Sequence, residues 1–150
     1  MEYFMDKMTY EEMLKTAFAS EFSFYLKAAN FHWNVEGEDF YEYHLMFERI
    51  YTEVYGIVDD FAEELRAARI YTPASFGVLD TLSVIECQDG VPEAASMAQE
   101  LLLDSDTMAE LFRTAFDGAE AMGDHGLSNF LADRQDAHKK HSWMLRSSLK

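Results

Sequence analysis

Apolar residues recur at helical spacing through four long stretches of this chain, and both of its prolines, Pro73 and Pro92, fall between the second stretch and the third. Proline removes a backbone donor and clashes with the preceding turn, so no long helix is expected to run through either position. The first stretch opens at Thr9-Tyr-Glu-Glu12, where threonine followed three residues on by glutamate makes a capping box. Met13, Leu14, Ala17, Phe18, Phe22, Tyr25, Leu26 and Ala29 give it a core-facing stripe, and it is expected to stop between Asn34 and Gly37. Asp39 is the expected cap of the second, with Glu42 three residues later. Phe40, Tyr43, Phe47, Tyr51, Val54, Val58, Phe61 and Leu65 form the stripe of that second helix, read as continuous.

The segment from Arg69 to Pro92 also carries Gly77 and Gly90 and is long for a structureless connection. Val78, Leu79, Leu82, Val84 and Ile85 predict a short helix within Phe76 to Glu86. Pro92 suits the first turn of the third long helix. That helix runs through Ala95, Ala98, Leu101, Leu102, Met108, Leu111, Phe112, Ala115, Ala119 and Met122. Gly123-Asp124 reads as a stop and a new cap. The fourth helix carries Leu127, Phe130, Leu131, His138, His141, Leu145 and Leu149. Two helical hairpins joined by one long crossover predict an all-α, ferritin-like four-helix bundle with a short extra helix in the crossover, one domain over residues 1–150.

Composition narrows the function. At 49% apolar the chain can bury a sizeable core, but charges interrupt every apolar run before it could span a bilayer. Met1 to Lys7 has no apolar run after a basic region, so a secretory signal is not expected. One cysteine, Cys87, cannot form an internal disulfide, which fits a reducing cytoplasm. With 28 acidic and 12 basic residues the net charge is −16, a surface that repels nucleic acid and anionic membranes and attracts cations.

Four ligand-type residues give that acidity a focus: His32, His44, Asp59 and Glu63. The histidines flank the turn between the first two helices and can be neighbours. Asp59 lies fifteen residues beyond His44, roughly 22 Å along a continuous helix at 1.5 Å per residue. One copy therefore cannot gather all four, whereas two antiparallel copies would complete two sites. Singly, each residue has an ordinary reading: His32 interacting with terminal carbonyls, His44 as a core histidine, Asp59 and Glu63 as solvated acids. Together they differ. Asp59 and Glu63 fall roughly 60° and 100° around the helix from His44, beside Val58, Phe61 and Ala62, where two adjacent carboxylates call for a cation or a proton between them. Mixed imidazole and carboxylate ligation suits iron or zinc. An intrabundle di-iron site built on Glu-x-x-His motifs is disfavoured, since no glutamate precedes a histidine by three.

The run His32-Trp-Asn-Val-Glu-Gly-Glu-Asp-Phe40, then His44, then Asp59-Asp-Phe-Ala-Glu63, resembles the signature of the Dps mini-ferritins at every interval. His141-Ser-Trp-Met-Leu-Arg146 resembles that family's closing helix, so the likeness covers essentially the whole chain. The resemblance implies a hollow homododecamer that oxidises ferrous iron with hydrogen peroxide, or more slowly dioxygen, at sites across two-fold interfaces. By that likeness His32 and His44 come from one subunit and Asp59 and Glu63 from its partner. Glu48 matches an acidic position that helps a second iron, and Trp33 a tryptophan beside the site or a plain packing residue.

Three places depart from the family pattern: Glu64 replaces an arginine, Ile70-Tyr71-Thr72-Pro73 replaces a glycine pair before the proline, and His125 and Asn129 stand at two pore positions. Glu120 and Asp124 are what the resemblance offers as an iron-uptake pore. DNA binding is not expected, because Lys7 is the sole base before Thr9, balanced by Glu2 and Asp6, and Arg146 and Lys150 close the chain without a cationic arm. His138, Lys139, Lys140 and His141 read as ordinary residues of the fourth helix. The competing readings are a helical oligomer holding metal such as zinc without catalysis, and a DNA-compacting scaffold.

Overall fold

The computed structural model describes residues 8–150, so the expectations for the segment Met1 to Lys7 lie outside the described residues. Six helices follow in order: α1 Tyr10–Asn34, α2 Phe40–Gly56, α3 Val58–Ala67, α4 Phe76–Leu82, α5 Ala94–Ala121 and α6 His125–Ser148. The hairpin of α1 with α2 and α3 packs on the hairpin of α5 and α6, and α4 rides on α1 within the crossover. This is the all-α bundle expected from the sequence. Among the described residues, no helix is long and apolar enough to cross a membrane.

The helix ends follow local chemistry. Thr9 closes its capping box reciprocally: Glu12 N donates to Thr9 Oγ1 at 3.1 Å, and Thr9 N donates to Glu12 Oε2 at 2.9 Å. Gly123, at φ +72°, takes the left-handed position after α5, and Asp124 Oδ1 accepts from Leu127 N at 3.1 Å to start α6. Arg69 occupies the equivalent left-handed position after α3, at φ +66°, where Ile70 N reaches back to Leu65 O.

Two expectations need correction. The second long helix is not continuous, for it breaks at Gly56–Ile57 into α2 and α3. Glycine is a poor helix interior residue, and Ile57 (ψ −1°) leaves the helical ladder for one residue before Phe61 N resumes it on Ile57 O. Pro92 stands one residue ahead of the N-cap Glu93, whose extended backbone (ψ 154°) delays the start of the helix to Ala94. The crossover helix forms within Phe76 to Glu86 as expected, and it ends at Leu82, where Ser83 is extended and Val84 N turns to Ser20 Oγ.

Phe61 sits where the two hairpins meet. It is fully buried, and its ring lies 5.5 Å from Phe18 of α1, 5.9 Å from Phe112 of α5 and 5.2 Å from Phe130 of α6. A polar cluster crosses the same interior. Glu21 of α1, Glu53 of α2, Ser105 of α5 and Arg134, His138 and His141 of α6 meet there, and all but Glu53 are buried. Arg134 donates to Glu21 Oε2 at 3.2 Å and, from Nη1, to Glu53 Oε2 at 2.6 Å. His138 Nε2 lies 2.6 Å from Glu21 Oε1 and His141 Nε2 lies 2.8 Å from Glu53 Oε1. The two histidines, read from sequence as ordinary helix residues, are thus interior members of an ionic network. Burial pushes the Glu53 carboxyl up, but bonds from His141 and Arg134 outweigh it and bring it down to about 2.

Two outcomes follow for stability. Phe61→Ala should lose about 3–5 kcal/mol in urea unfolding, the usual cost of emptying a fully buried aromatic site. Glu53 binds fewer protons folded than unfolded between its ordinary value of 4.5 and about 2. Its contribution is therefore complete above that window and disappears as the pH falls through it. Glu53→Gln should be less stable than the parent at neutral pH and show a shallower decline on acidification, read from thermal midpoints.

Candidate metal centre

His32 ends α1 buried, and His44 stands one turn into α2 half-buried. The hairpin stacks their rings, with centroids 3.8 Å apart and planes 14° from parallel. Each ring bonds the other's backbone: His32 Nδ1 lies 2.8 Å from His44 O, and His44 Nδ1 lies 2.7 Å from His32 O. A carbonyl only accepts, so both Nδ1 atoms must carry a proton and donate it. That leaves each Nε2 as the atom with a lone pair when the ring is neutral. Backbone oxygens thus fix both tautomers in the form that ligates metal through Nε2. The His32 carbonyl is also one of the last-turn acceptors of α1 that the helix itself leaves open. Phe40 stacks 4.9 Å from His44, and Tyr51 lies 5.2 Å from His32, so the pair is held by rings as well as by bonds.

The acidic half is separate. Asp59, Asp60 and Glu63 on the first turns of α3 each offer a carboxylate oxygen within 4.8 Å of the others, and all three are exposed. Among the described residues this is the one such grouping of three or more ligand-type side chains, and the histidines are not in it. The structure therefore pairs His32 with His44 and Asp59 with Glu63, and keeps the pairs apart. Asp60, to which the sequence reading gave no role, joins the second pair. Its adjacency to Asp59 was the available signal. The carboxylates are exposed rather than set into the buried stripe.

Glu48 is exposed on α2, a turn beyond His44. Trp33 is 62% exposed, and Phe40, Tyr41 and Leu45 nearby also show broad apolar surface. Contiguous apolar exposure of this kind is uncommon on a solitary subunit. At the other end of the bundle Glu120 and Asp124 already hold local bonds. Glu120 accepts from Ser128 Oγ, with His125 3.6 Å away, while Asp124 caps α6. Glu64 lies near this corner, its carboxyl raised by burial and by the charges of Asp124 and Asp60.

Comparison with known proteins gives one consistent answer. A family model described as a ferritin-like domain matches residues 11–150. General stress protein 20U of Bacillus subtilis is 35% identical over 83% of this chain and 86% of its own length. A DNA protection during starvation protein of Brevibacillus brevis is 32% identical over 83% of this chain and 84% of its own. Among solved structures, a Dps protein from Bacillus brevis superposes with a TM-score of 0.89 at 28% identity, covering 94% of this chain and 95% of that one. A Dps protein of Vibrio cholerae, described as a member of a broad superfamily of ferritin-like diiron-carboxylate proteins, gives 0.89 at 27% identity, over 94% of this chain and 89% of that one.

The reciprocal carbonyl bonds make a spectroscopic prediction. Nitrogen-15 NMR of labelled histidine should show His32 and His44 protonated at Nδ1, with zinc addition moving the Nε2 signals and leaving the Nδ1 protons in place. An Nε2-protonated form of either ring would contradict the geometry.

Proposed function

The chain belongs to the ferritin-like family and, within it, to the Dps proteins; on that premise we propose that it oxidises ferrous iron at sites shared between two subunits and stores the ferric product. The observation that supports this reading best is the distribution of ligands along one hairpin arm. Two imidazoles with tautomers set for metal stand at one end, and a carboxylate group stands at the other. A second protomer running antiparallel brings its Asp59 and Glu63 to this chain's His32 and His44, and receives the reverse. The exposed Trp33, Phe40, Tyr41 and Leu45 supply apolar surface for that contact.

In this reading iron is the substrate. His32 and His44 offer neutral nitrogens, Asp59 and Glu63 offer charge, and Glu48 helps a second ion. Two ferrous ions give one electron each to hydrogen peroxide, which takes up two protons and leaves as two waters. Pairing the electrons avoids the hydroxyl radical that a lone ferrous ion releases. Dioxygen is the slower oxidant. The pairs assemble as a closed shell of twelve single-domain subunits in the cytoplasm, with ferric mineral inside. Glu120 and Asp124 mark the uptake pore, each with part of its bonding capacity already spent locally. The Brevibacillus brevis relative is a DNA protection during starvation protein. For a chain of net charge −16 such protection comes from removing iron and peroxide rather than from coating DNA.

Complementation tests the shared site. His32→Ala/His44→Ala chains and Asp59→Ala/Glu63→Ala chains, each inactive alone, should regain oxidation when co-assembled, with peroxide consumed at one molecule per two irons. Verified mixed dimers without activity would count against ligands shared across subunits. Binding without peroxide consumption would favour a non-catalytic metal-holding oligomer.

A further inference from the structure

The interior cluster of Glu21, Glu53, Arg134, His138 and His141 takes no part in the proposed iron chemistry, yet four of these five side chains are metal-ligand types. Interior metals in bundles of this architecture are held by carboxylates and imidazoles that project inward from facing helices. Here the carboxylates come from α1 and α2 and the imidazoles from α6. Both histidines turn Nε2 toward a carboxylate, His138 to Glu21 at 2.6 Å and His141 to Glu53 at 2.8 Å. Between the carboxylates lies the Arg134 guanidinium, reaching Glu21 through Nε and Nη2 at 3.2 Å and Glu53 through Nη1 and Nη2 at 2.6 and 3.0 Å. We propose that Arg134 is a resident cation filling an intrabundle divalent-metal site, and that Glu21, Glu53, His138 and His141 bind a zinc- or iron-type ion once it is removed.

Charge balance supports the assignment. With both carboxylates ionised and both rings neutral, the four ligand side chains carry two negative charges. The guanidinium offsets one, and a divalent ion would offset both. Leaving Glu21 buried and Glu53 half-buried without a cation is unfavourable, which is the drive for an ion to enter. The second shell is already in place for His138. Ser105 Oγ lies 3.2 Å from its Nδ1 and donates to its carbonyl oxygen at 2.9 Å, so when Nε2 turns from donating to Glu21 to ligating, the ring proton moves to Nδ1 and Ser105 Oγ accepts from it. A ring that ligates through Nε2 needs that arrangement. His141 Nδ1 is buried without a hydrogen-bond partner, so only its Nε2 bond to Glu53 orients that ring.

The four ligand atoms do not now converge on one point, since the one convergent group among the described residues is the exposed trio on α3. They stand around the guanidinium, which keeps them apart. A cavity of about 570 Å³ bordered by Asp60, Asp133, Arg134 and His141 opens beside the cluster and gives an ion a path from solvent. With Arg134 in place a positive charge already stands between the two carboxylates and repels an entering cation, so ferrous iron is not drawn into the interior. The assignment is independent of the interfacial reading.

Anaerobic cobalt titration tests it, in protein whose interfacial site has been removed by His32→Ala and Glu63→Ala. With Arg134 present, no interior cobalt should appear. Arg134→Ala or Arg134→Met should take up one cobalt per subunit, with a visible ligand-field spectrum and an affinity about 100-fold above the parent's, the scale on which metal-site support acts. Adding His138→Ala/His141→Ala should abolish the uptake. If the apo variants are unfolded, zinc but not magnesium should restore their helical circular dichroism. Folded arginine variants that take up no metal, variants that zinc fails to fold, or equal uptake in the parent would each overturn the assignment.

Discussion

Arg134 joins three of the four long helical arms through one side chain, reaching Glu21 of α1 and Glu53 of α2 from its place on α6. Everything around that cluster is constrained by it. A buried guanidinium with two carboxylates is tolerable only if the donors and acceptors meet in register, so the rotations of α1, α2 and α6 about their own axes are mutually fixed. Ser105 brings α5 into the same register through His138. The aromatic layer of Phe18, Phe61, Phe112 and Phe130 then supplies the apolar burial that the ionic centre does not.

The same rotation governs the histidine pair. His32 and His44 can exchange bonds with each other's carbonyls only if the turn from Val35 to Asp39 returns α2 against α1 at one height. Gly37, at φ +118°, takes a conformation that side-chain-bearing residues avoid, and so closes the turn; the space around it is open, so the backbone angle alone calls for glycine. A feature that looks like two metal-ligand residues near a loop is also a clasp for the hairpin. Local packing and proposed chemistry draw on the same two side chains.

Much of this was legible in the chain because helical periodicity is strong when the apolar face is wide. The four arms, the caps at Thr9 and Asp124, the stop at Gly123 and the closeness of His32 to His44 all follow from spacing. What spacing could not show was the break after Gly56, where one glycine interrupts an otherwise regular stripe between His44 and Asp59. Spacing placed His138 and His141 on the apolar stripe of the fourth helix but could not name their partners, because Glu21 and Glu53 lie more than eighty residues away in sequence. A polar residue inside an apolar stripe announces burial but not its company. Arg134, His138 and His141, at intervals of four and three, share one face of α6, and that was the signal available.

The interruption between α2 and α3 carries a mechanical consequence. A single unbroken rod would transmit any twist at His44 straight to Asp59. Here the phase between the two is set at Ile57, whose ψ of −1° interrupts the ladder for one residue, so a substitution there would rotate the acid pair against the imidazoles while leaving both helices intact.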